Sequence, residues 1–564
     1  MSRPWLNEYP PGVPPDIDLS GCESLVDMCE QTFARFPERA AFTCMGATLG
    51  YAALDAQSAH FAGWLQSRGL RKDSRVALML PNVLQYPVAL IGSLRAGCIV
   101  VNVNPLYTAR ELSQQLIDSG AETIVILENF AATLQKVLAG TAVRHVVVTS
   151  MGDMLGGRGR IVDFVVRHVR RLVPAWTLPG HVGWSAALAA GARAGYRPAA
   201  PALDDIAVLQ YTGGTTGVAK GAILLHRNLL ANTIQSEAWL APALTRRAGA
   251  QVITAAALPL YHIFALTVCG FLSIRIGGLA VLIPNPRDIR GLIKTLSAYP
   301  VHSFPAVNTL YNALMDHPDF GRLDFSQLLV AVGGGMAVQE AVARRWAERT
   351  GRVLVEGYGL SETSPIVSCT PVTATAYSGS VGLPMPSTDV SIRDESGREV
   401  PNGETGEVCI RGPQVMAGYW QRPDETDKVM TADGFLRSGD IGRFDAHGNL
   451  KLVDRKKDLI LVSGFNVYPN EIEDVVASHP GVGEVAAVGI NDDKSGEAVK
   501  IFVVRRDPGL TETDLRAFCR ERLTAYKLPR TIEFREALPK TNVGKILRRA
   551  LREEGAIPPP TAGG

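Results

Sequence analysis

Short apolar runs alternate with longer segments of helical periodicity along most of the chain. The runs are rich in β-branched residues, which is typical of buried strands, and the segments between them are long enough for helices. This alternation predicts βαβ units and an α/β fold with doubly wound, mostly parallel sheets. Predicted strands span residues 75–80, 123–127, 143–149, 206–211, 279–283, 328–332 and 353–355.

The pattern changes beyond Gly379, where many Gly and Pro turns separate short strands. Strands at residues 390–393 and 407–411 indicate a small antiparallel β region. The charged segment V-D-R-K-K-D at residues 453–458 precedes a last stretch with its own mixture of helix and strand. We therefore predict a large N-terminal domain over residues 1–453, which includes the small β region. A smaller α+β domain over residues 454–564 follows, joined by a hinge near Asp454.

Two helices of the small domain have recognisable starts. Asn470 can cap a helix whose first turn holds Glu471 and Glu473, and acidic residues suit that end of the helix dipole. A T-x-x-D capping pattern begins a second helix at Thr511.

Residues 160–173 combine basic and apolar positions at helical spacing. Such a basic amphipathic helix is typical of a surface helix packed on its own domain, or of one that docks reversibly on an anionic membrane. The charged side holds Arg160, Asp163, Arg167, Arg170 and Arg171, and the apolar side holds Ile161, Val162, Val165, Val169, Leu172 and Val173.

A charge-free stretch at residues 248–274 is long enough to cross a bilayer. Pro259, Tyr261 and His262 interrupt it, so we predict a buried core segment instead of a transmembrane helix. The N-terminal M-S-R-P-W-L-N-E-Y-P-P has no apolar h-region, which argues against a secretory signal. We expect a cytoplasmic protein, with any membrane contact peripheral and on the inner face.

Composition and charge are those of an ordinary globular protein. Hydrophobic residues make up 46% and charged residues 20% of the 564 residues, so apolar surface is ample for a large core. The net charge of +2 offers no general attraction to nucleic acid, which we exclude as a partner. The eight cysteines are scattered without a C-x-x-C pair, which predicts reduced, mostly buried thiols.

The segment Y-T-G-G-T-T-G-V-A-K-G at residues 211–221 is the first candidate for chemistry. It follows an apolar run, its glycines let the backbone approach an anion, and its threonines and Lys220 can donate to phosphate oxygens. It is not a Walker A loop, because Val218 and Ala219 separate Gly217 from Lys220. We predict that it binds nucleotide phosphates; the alternative is a structural turn between a strand and a helix.

Two further motifs fit a nucleotide triphosphate site when they are taken with this loop. G-G-G-M at residues 333–336 follows an apolar strand, where backbone can pass close to a flat ligand. E-G-Y-G-L-S-E-T at residues 356–363 supplies Tyr358 for stacking and Glu362 for magnesium, which prefers oxygen ligands. Singly, each has a structural alternative: a bulge, a core tyrosine or a solvated glutamate.

Two later motifs carry an aspartate and a lysine. R-S-G-D places Asp440 after a tight turn, where its oxygens could accept both hydroxyls of a ribose. P-K-T-N-V-G-K places Lys545 after Gly544 and before a basic helix. Taken alone, Asp440 is more often a turn former and Lys545 an ordinary solvated lysine.

These motifs in this order, with D-R-K-K-D-L-I-L-V-S-G-F-N-V-Y-P-N-E-I-E at residues 454–473, resemble those of the adenylate-forming enzymes. That superfamily comprises acyl-CoA synthetases, amino-acid-activating domains of peptide synthetases and firefly-type luciferases. The resemblance covers nearly the whole chain. A-L-P-L-Y-H-I-F-A-L at residues 257–266 and G-Y-W-Q-R-P at residues 418–423 are most similar to bacterial long-chain fatty-acid–CoA ligases.

The resemblance implies a two-step reaction with ATP and CoA as cosubstrates and Mg²⁺ as cofactor. A fatty-acid carboxylate would attack the α-phosphorus of ATP to give an acyl-adenylate and pyrophosphate, and the CoA thiol would then displace AMP. Lys545 would be the catalytic lysine, and Thr215 and Glu362 the magnesium-linked catalytic positions. His262 would line the path of the activated carbonyl or, alternatively, be a satisfied core histidine.

The resemblance also assigns binding residues and a domain movement. The small domain would turn about Asp454 after adenylation, withdrawing Lys545 and presenting Ser463, Gly464 and Phe465 to CoA. The implied nucleotide ligands are Tyr211, Thr212, Gly213, Gly214, Thr215, Thr216, Gly217 and Lys220 in the phosphate loop, Gly333, Gly334, Gly335, Tyr358 and Gly359 around adenine, Ser361 and Glu362 nearby, and Asp440 and Arg455 at the ribose.

Alternatives remain open at this stage. The acyl-adenylate could instead be loaded onto a carrier protein or oxidised, or the chain could be a fatty-acyl sensor without turnover. The joint presence of Lys220, Glu362, Asp440 and Lys545 argues against lost catalysis. Trp239 could gate an acyl tunnel, although core packing is favoured. A homodimer is possible, and the acyl chain length is open.

Overall fold

Strands and helices alternate along most of the chain in this computed structural model, which describes residues 3–212, 219–245, 249–463, 465–492, 495–541 and 544–555. The strands are β1 Ala40–Cys44, β2 Ala47–Gly50, β3 Arg75–Met79, β4 Ile99–Asn102, β5 Thr123–Leu127, β6 His145–Thr149, β7 Val182–Gly183, β8 Ile206–Thr212, β9 Lys220–Leu225, β10 Ile253–Ala256, β11 Leu279–Leu282, β12 Ser303–Ala306, β13 Val330–Gly334, β14 Leu354–Gly359, β15 Ile366–Cys369, β16 Leu383–Pro384, β17 Asp389–Arg393, β18 Gly406–Arg411, β19 Gly418–Tyr419, β20 Leu436–Phe444, β21 Leu450–Arg455, β22 Ile460–Val462, β23 Phe465–Val467, β24 Val482–Asp492, β25 Gly496–Arg505 and β26 Thr531–Arg535. The α-helices are α1 Leu25–Arg35, α2 Tyr51–Ser67, α3 Gln85–Arg95, α4 Ala109–Ser119, α5 Ala131–Gln135, α6 Gly159–Phe164, α7 Trp184–Ala194, α8 His226–Leu244, α9 Ile263–Ala265, α10 Leu272–Arg275, α11 Ile289–Leu296, α12 Asn308–Asp316, α13 Glu340–Thr350, α14 Pro423–Val429, α15 Pro469–Ala477, α16 Glu512–Arg520 and α17 Arg548–Gly555.

Two large sheets form the body of the molecule. Nine of the described strands are ordered β16-β15-β14-β13-β12-β10-β11-β1-β2, and eight are ordered β19-β9-β8-β4-β3-β5-β6-β7. Central neighbours are parallel, as in β3–β5 and β12–β13, whereas β1–β2, β8–β9 and β14–β15 are antiparallel. Every residue of β5 is buried, as expected for a parallel strand covered on both faces. The predicted α/β fold class is confirmed.

Two smaller sheets complete the fold. Strands β17, β18, β20 and β21 pair antiparallel, which confirms the small β region predicted beyond Gly379. The last sheet is ordered β23-β22-β25-β24, with β26 parallel to β25. Helix α15 packs on this sheet through buried Ile472 and Val476, so the last α+β segment has a core of its own.

One predicted helix start is wrong and one is confirmed. Helix α15 begins at Pro469 with Tyr468 as its N-cap, so Asn470 lies in the first turn instead of capping it. Proline suits the first helical position because its missing N–H would have no partner there. Thr511 caps α16 through a capping box with Asp514, as the T-x-x-D pattern predicted.

The amphipathic helix predicted over residues 160–173 is shorter than expected. Helix α6 continues as a π-helical segment, Val165–Val169, and the helix ends there. Arg171 has a φ of +50°, and Val173 precedes a proline, a position that disfavours helix. Arg170, Arg171, Leu172 and Val173 therefore lie outside the helix.

The charge-free stretch at residues 248–274 is a core segment, as predicted. It contains β10, α9, a π-helical segment Leu266–Phe271 and most of α10, and its residues from 263 to 274 are all buried. Among the helices in the described part of the chain, none combines the length and apolar composition that crossing a bilayer requires. All eight cysteines are buried and free, in agreement with the prediction.

Candidate active site

A cavity of about 810 Å³ lies between the carboxyl ends of β13 and β14, the strands β20 and β21, and the last helices of the chain. Ligands of open parallel sheets bind at this edge. Residues predicted from separate motifs meet on its wall: Tyr211, His262, Gly333, Gly335, Tyr358, Gly359, Asp440, Arg455 and Lys545.

Lys545 reaches the cavity from the small domain and lies against the glycine motif. A Cβ atom at Gly335 would be 3.2 Å from Cε and 3.8 Å from Nζ of Lys545. The φ of Gly335 is +79°, a conformation that side chains disfavour. Glycine at this position therefore serves the backbone turn and leaves room for the lysine.

Groups around Lys545 shift its pKa in both directions. Burial, and after it the positive charge of Arg455, lower the pKa of Lys545 to about 8. Asp440 and Glu362 act in the opposite direction, so both carboxylates lie within electrostatic reach of the ammonium. An anionic ligand placed beside Lys545 would favour the charged form further.

Asp440 is buried between two partners. Tyr358 donates from its hydroxyl to Oδ2 of Asp440 at 2.7 Å, and Nε of Arg455 lies 3.1 Å from Oδ1. Burial raises the pKa of the Tyr358 hydroxyl, which therefore stays a donor. Asp440 lies inside β20, after Gly439 with a φ of +72°, so the predicted tight turn is a kink within a strand.

His262 both caps a helix and lines the cavity. Its Nδ1 accepts the backbone N–H of Phe264 at 3.3 Å and so caps α9. Burial, followed by the charge of Lys545, lowers the pKa of His262 to about 3. The ring is therefore neutral with its proton on Nε2, and it lines the cavity.

The segment 211–221 joins two strands instead of a strand and a helix. Strands β8 and β9 pair antiparallel up to Thr212 and Lys220, so the expected lead from a strand into a helix is wrong. Gly213, Gly214, Thr215, Thr216 and Gly217 lie outside the described residues. Tyr211 donates to Asp118 at 2.7 Å, and Thr212 to the carbonyl of Lys220 at 3.5 Å.

Lys220 and Glu362 are linked through one tyrosine. Tyr419 donates to Oε1 of Glu362 at 2.8 Å, and the ammonium of Lys220 lies 5.2 Å from the centroid of the Tyr419 ring. Lys220 also pairs with Glu425 of α14, and this hydrogen bond is the main cause that lowers the pKa of Glu425 to about 2.

Comparison with known proteins shows the family of the chain. Its residues 29–420 match the family described as AMP-binding enzyme, and residues 471–545 match the AMP-binding enzyme C-terminal domain. The chain belongs to the AMP-binding enzyme family. A long-chain-fatty-acid–CoA ligase of Escherichia coli O6:H1 is 56% identical to it over 556 residues, which cover 98% of each chain.

Solved structures share the fold of the chain. ATP-bound MatB from Rhodopseudomonas palustris is 26% identical to this AMP-binding enzyme, with a TM-score of 0.78 over 94% of this chain and 98% of MatB. The anthranilate CoA ligase AuaEII in complex with anthranoyl-AMP has a TM-score of 0.82 over 96% of this chain and 99% of its own. At 23% identity, AuaEII bears on the fold alone.

A metal site in this AMP-binding enzyme would rest on few protein ligands. Within the described ranges, no group of three or more His, Cys, Asp or Glu side chains is arranged to hold an ion. Glu362 offers a single carboxylate, of which one oxygen accepts from Tyr419. This set fits Mg²⁺, which commonly uses one or two carboxylates together with phosphate oxygens of the substrate.

The predicted hinge residue is buried at the junction of the two family domains. Asp454 accepts the backbone N–H groups of Arg455 at 2.7 Å and Asn470 at 2.9 Å, and Nη1 of Arg548 lies 3.4 Å away. Burial raises the pKa of Asp454 to about 6. Arg548 also pairs with Glu473 at 2.6 Å.

The predicted CoA-side loop lies elsewhere on the small domain. Phe465 is 56% exposed and stacks on Tyr526 with 4.9 Å between ring centroids. Ser463 and Phe465 are not among the described residues that line the cavity, and Gly464 lies outside the described residues. Ser361 is half-buried beside Glu362, also off the cavity wall.

Glu356 and Trp239 are both buried, one at the cavity and one in the core. Glu356 lines the cavity, and burial raises its pKa to about 8. Glu356 is the first of two glutamates in the motif E-G-Y-G-L-S-E-T, whose pattern assigns a role to Glu362 alone. Trp239 is buried, packs edge-on against Tyr9 and donates from Nε1 to the carbonyl of Thr370 at 3.2 Å, which agrees with core packing.

Proposed function

We propose that this AMP-binding enzyme is an ATP-dependent long-chain fatty-acid–CoA ligase. A fatty acid and ATP give an acyl-adenylate and pyrophosphate, and CoA then displaces AMP to give an acyl-CoA. The observation that carries the proposal is the cavity in which Lys545 of the small domain meets Gly335, Tyr358 and Asp440 of the large one. The 56% identity to the Escherichia coli ligase supports a long-chain acid as substrate.

The first step brings two anions together, the carboxylate and the α-phosphate, and is helped by fixed positive charge. Lys545 supplies this charge, because a pKa of about 8 leaves it mostly protonated at neutral pH. His262, neutral and with its proton on Nε2, can donate to a carboxylate oxygen without changing its own charge.

Nucleotide binding follows from the same wall of the cavity. The ring of Tyr358, held by its bond to Asp440, offers a face to adenine beside the backbone of Gly333 and Gly335, which line the cavity; Gly334 lies between them off its wall. Among the described residues, each oxygen of Asp440 has one partner and keeps a second acceptor position. Asp440 can therefore accept the ribose hydroxyls without losing its present bonds.

Phosphates and Mg²⁺ fit the region around Glu362. We assign Thr215 and Glu362 to the ion, which would neutralise the departing pyrophosphate when bound. Lys220, now paired with Glu425, would turn toward the phosphates. Glu362 is oriented for this role by Tyr419.

We place the domain boundary between residues 453 and 454, with Asp454 as the hinge. The family matches end at residue 420 and resume at residue 471, so the proposed hinge falls between them. Movement about Asp454 would withdraw Lys545 and bring Ser463, Gly464 and Phe465 toward the CoA thiol.

The test measures AMP release and acyl-CoA formation with ATP, Mg²⁺ and CoA across saturated acids of about four to eighteen carbons. Each buried CH₂ is worth about 0.8 kcal/mol, so kcat/KM should rise roughly fourfold per carbon until the tunnel ends. Acyl-adenylate that accumulates until a carrier protein is added would favour carrier loading. Binding of acids without AMP release would favour a sensor. Either result contradicts the proposal.

A second proposal concerns the surface formed by residues 160–172, which we call the amphipathic surface. We infer that it contacts an anionic membrane from the cytoplasmic side. Four of its apolar side chains are uncovered, with exposures of 67% for Ile161, 59% for Phe164, 65% for Val169 and 53% for Leu172. Arg160, Arg170 and Arg171 are exposed beside them, a combination typical of interfacial helices.

Cosedimentation with vesicles tests whether the amphipathic surface binds membrane or is exposed without binding it. Arg167 pairs with buried Glu128, so the basic variant replaces Arg160, Arg170 and Arg171 by alanine and keeps Arg167. We expect binding to phosphatidylglycerol vesicles, weaker binding to phosphatidylcholine, and loss in this variant. Ile117→Ser, at a 58% exposed position of α4, is the control. Equal binding by wild type and the basic variant would contradict the proposal.

Self-association stays a prediction. A homodimer is checked by sedimentation velocity at several protein concentrations, where a single monomer boundary would contradict it.

A further inference from the structure

The loop that carries Lys545 is held against the large domain by a hydroxyl group. Thr309, in the first turn of α12, donates from Oγ1 to the carbonyl oxygen of Gly544 at 3.0 Å. Gly544 has a φ of +86°, and a Cβ atom there would lie 3.0 Å from Oγ1 of Thr309 and 3.1 Å from Cγ2 of Val307. The residue before Lys545 is therefore in close contact with the large domain.

Two other hydrogen bonds of the loop join its own residues to each other and do not contact the large domain. The N–H of Lys545 donates to Oγ1 of Thr541 at 3.0 Å, and the N–H of Gly544 donates to the carbonyl of Thr541 at 3.0 Å. These bonds join residues of the small domain and move with it. The Thr309–Gly544 bond joins the two domains, so it bears on where the loop sits and not on its internal shape.

The same helix holds the small domain at a second point. Asn312, one turn after Thr309, donates from Nδ2 to the carbonyl of Gly483 at 3.1 Å. Arg287 lies at the exposed rim, with Nη2 3.4 Å from the carbonyl of Thr541. Of these contacts, the one made by Thr309 is adjacent in sequence to Lys545.

We propose that Thr309 is a positioning residue for adenylate formation. Its hydroxyl fixes the carbonyl of Gly544 and so keeps the ammonium of Lys545 in the cavity beside Gly335. This inference rests on the proposed function, because it concerns the step that uses Lys545. Loss of the bond lowers the fraction of molecules with the lysine in place and leaves Tyr358 and Asp440 unchanged.

The expected size of the effect is that of one neutral hydrogen bond. Such a bond shifts an equilibrium by about two- to tenfold, so Thr309→Val should lower the rate of adenylation by at most that factor. Thiolysis of supplied acyl-adenylate does not require the lysine in the cavity, and its rate should stay the same. Thr309→Ser keeps the hydroxyl and should restore adenylation.

The experiment measures both half-reactions in the full-length protein. Thr295→Val is the matched control. Thr295 donates to the carbonyl of Gly291 within α11 at 2.9 Å, so this substitution makes the same chemical change without removing a bond between domains. We expect fatty-acid-dependent ATP–pyrophosphate exchange to fall in Thr309→Val alone. Full exchange in that variant, or an equal loss in both half-reactions, would overturn the proposal.

A second readout does not depend on the substrate. Acetic anhydride labelling of Lys545, followed by peptide mass spectrometry on ligand-free protein, should be faster in Thr309→Val than in wild type or Thr295→Val, and the gain in labelling multiplied by the loss in adenylation should be about two- to tenfold. Unchanged labelling would overturn the positioning role. Faster labelling in Thr309→Val, together with a wild-type protein that shows no exchange with any acid, would instead refute the proposed function.

Discussion

Raising the pH through 8 is expected to remove the positive charge on which adenylate formation depends. Burial, and after it the charge of Arg455, lower the pKa of Lys545 from an ordinary 10.5 to about 8. A lowered lysine pKa means that the ammonium is present below pH 8 and is lost above it. Adenylation should therefore decline as the pH rises through this window.

The pKa sets the size of the decline. At a pKa of about 8, roughly nine-tenths of the free enzyme carries the ammonium at pH 7 and roughly one-tenth at pH 9. Because kcat/KM reports ionisations of the free enzyme, kcat/KM for ATP in adenylation should fall about tenfold between pH 7 and pH 9. Bound anions raise the pKa of Lys545, so kcat should decline at higher pH.

The assay is fatty-acid-dependent exchange of labelled pyrophosphate into ATP, measured from pH 6.5 to pH 9.5 with a soluble acid. Lys545→Arg is the control, because arginine keeps its charge throughout this range and any residual activity should be flat. A wild-type profile that stays flat to pH 9.5 would refute the reasoning. A decline with the same midpoint in Lys545→Arg would assign the ionisation to another group.

Three further substitutions test other contacts. Gly335→Ala places a Cβ atom 3.2 Å from the lysine chain at a φ of +79°, and left-handed strain of about 1–2 kcal/mol predicts roughly tenfold slower pyrophosphate exchange. Gly351→Ala, at a φ of +67° with nothing within 4 Å, is its control and should leave exchange unchanged. Asp440→Asn should raise KM for ATP about tenfold or more, because hydrogen bonds to a charged group contribute about 1.5–3 kcal/mol; an unchanged KM would argue against the ribose role. Trp239→Phe removes a buried donor and should lower the free energy of unfolding in denaturant by about 1–3 kcal/mol without altering the chain-length profile, whereas a changed profile would favour a gate.

Much of the fold is readable from apolar runs because strands buried on both faces have a continuous apolar sequence. Strand β5 matches its predicted bounds, and β3 and β8 end within one residue of theirs. Strand β14 was predicted to end at residue 355 but continues to Gly359. Glycine has low strand propensity, and the ladders with β13 and β15 extend this strand in spite of it.

The amphipathic surface shows a limit of periodicity. The apolar spacing indicated a helix, but its end near Val169 depends on local backbone geometry at Arg171. Spacing also does not determine whether an apolar side chain is covered. Ile161 and Phe164 are exposed because none of the described elements packs over them, which only the tertiary structure decides.

In the candidate site too, some features can be predicted from the sequence and others depend on the tertiary structure. The order of the motifs and their resemblance to adenylate-forming enzymes assign Tyr358, Asp440 and Lys545, and the structure brings these three residues to one cavity. Contacts between distant segments, such as Lys545 with Gly335 or Thr309 with Gly544, depend on how the two domains meet and leave no local pattern. The sequence accordingly offered no reason to single out Thr309.

The central claim is that a fatty acid is activated as an acyl-adenylate before CoA takes part. Its most direct test is exchange of labelled pyrophosphate into ATP by the purified protein with Mg²⁺ and palmitate and without CoA. We predict exchange that requires the fatty acid and proceeds in the absence of CoA. No exchange until CoA is added, or equal exchange without any acid, would contradict the account.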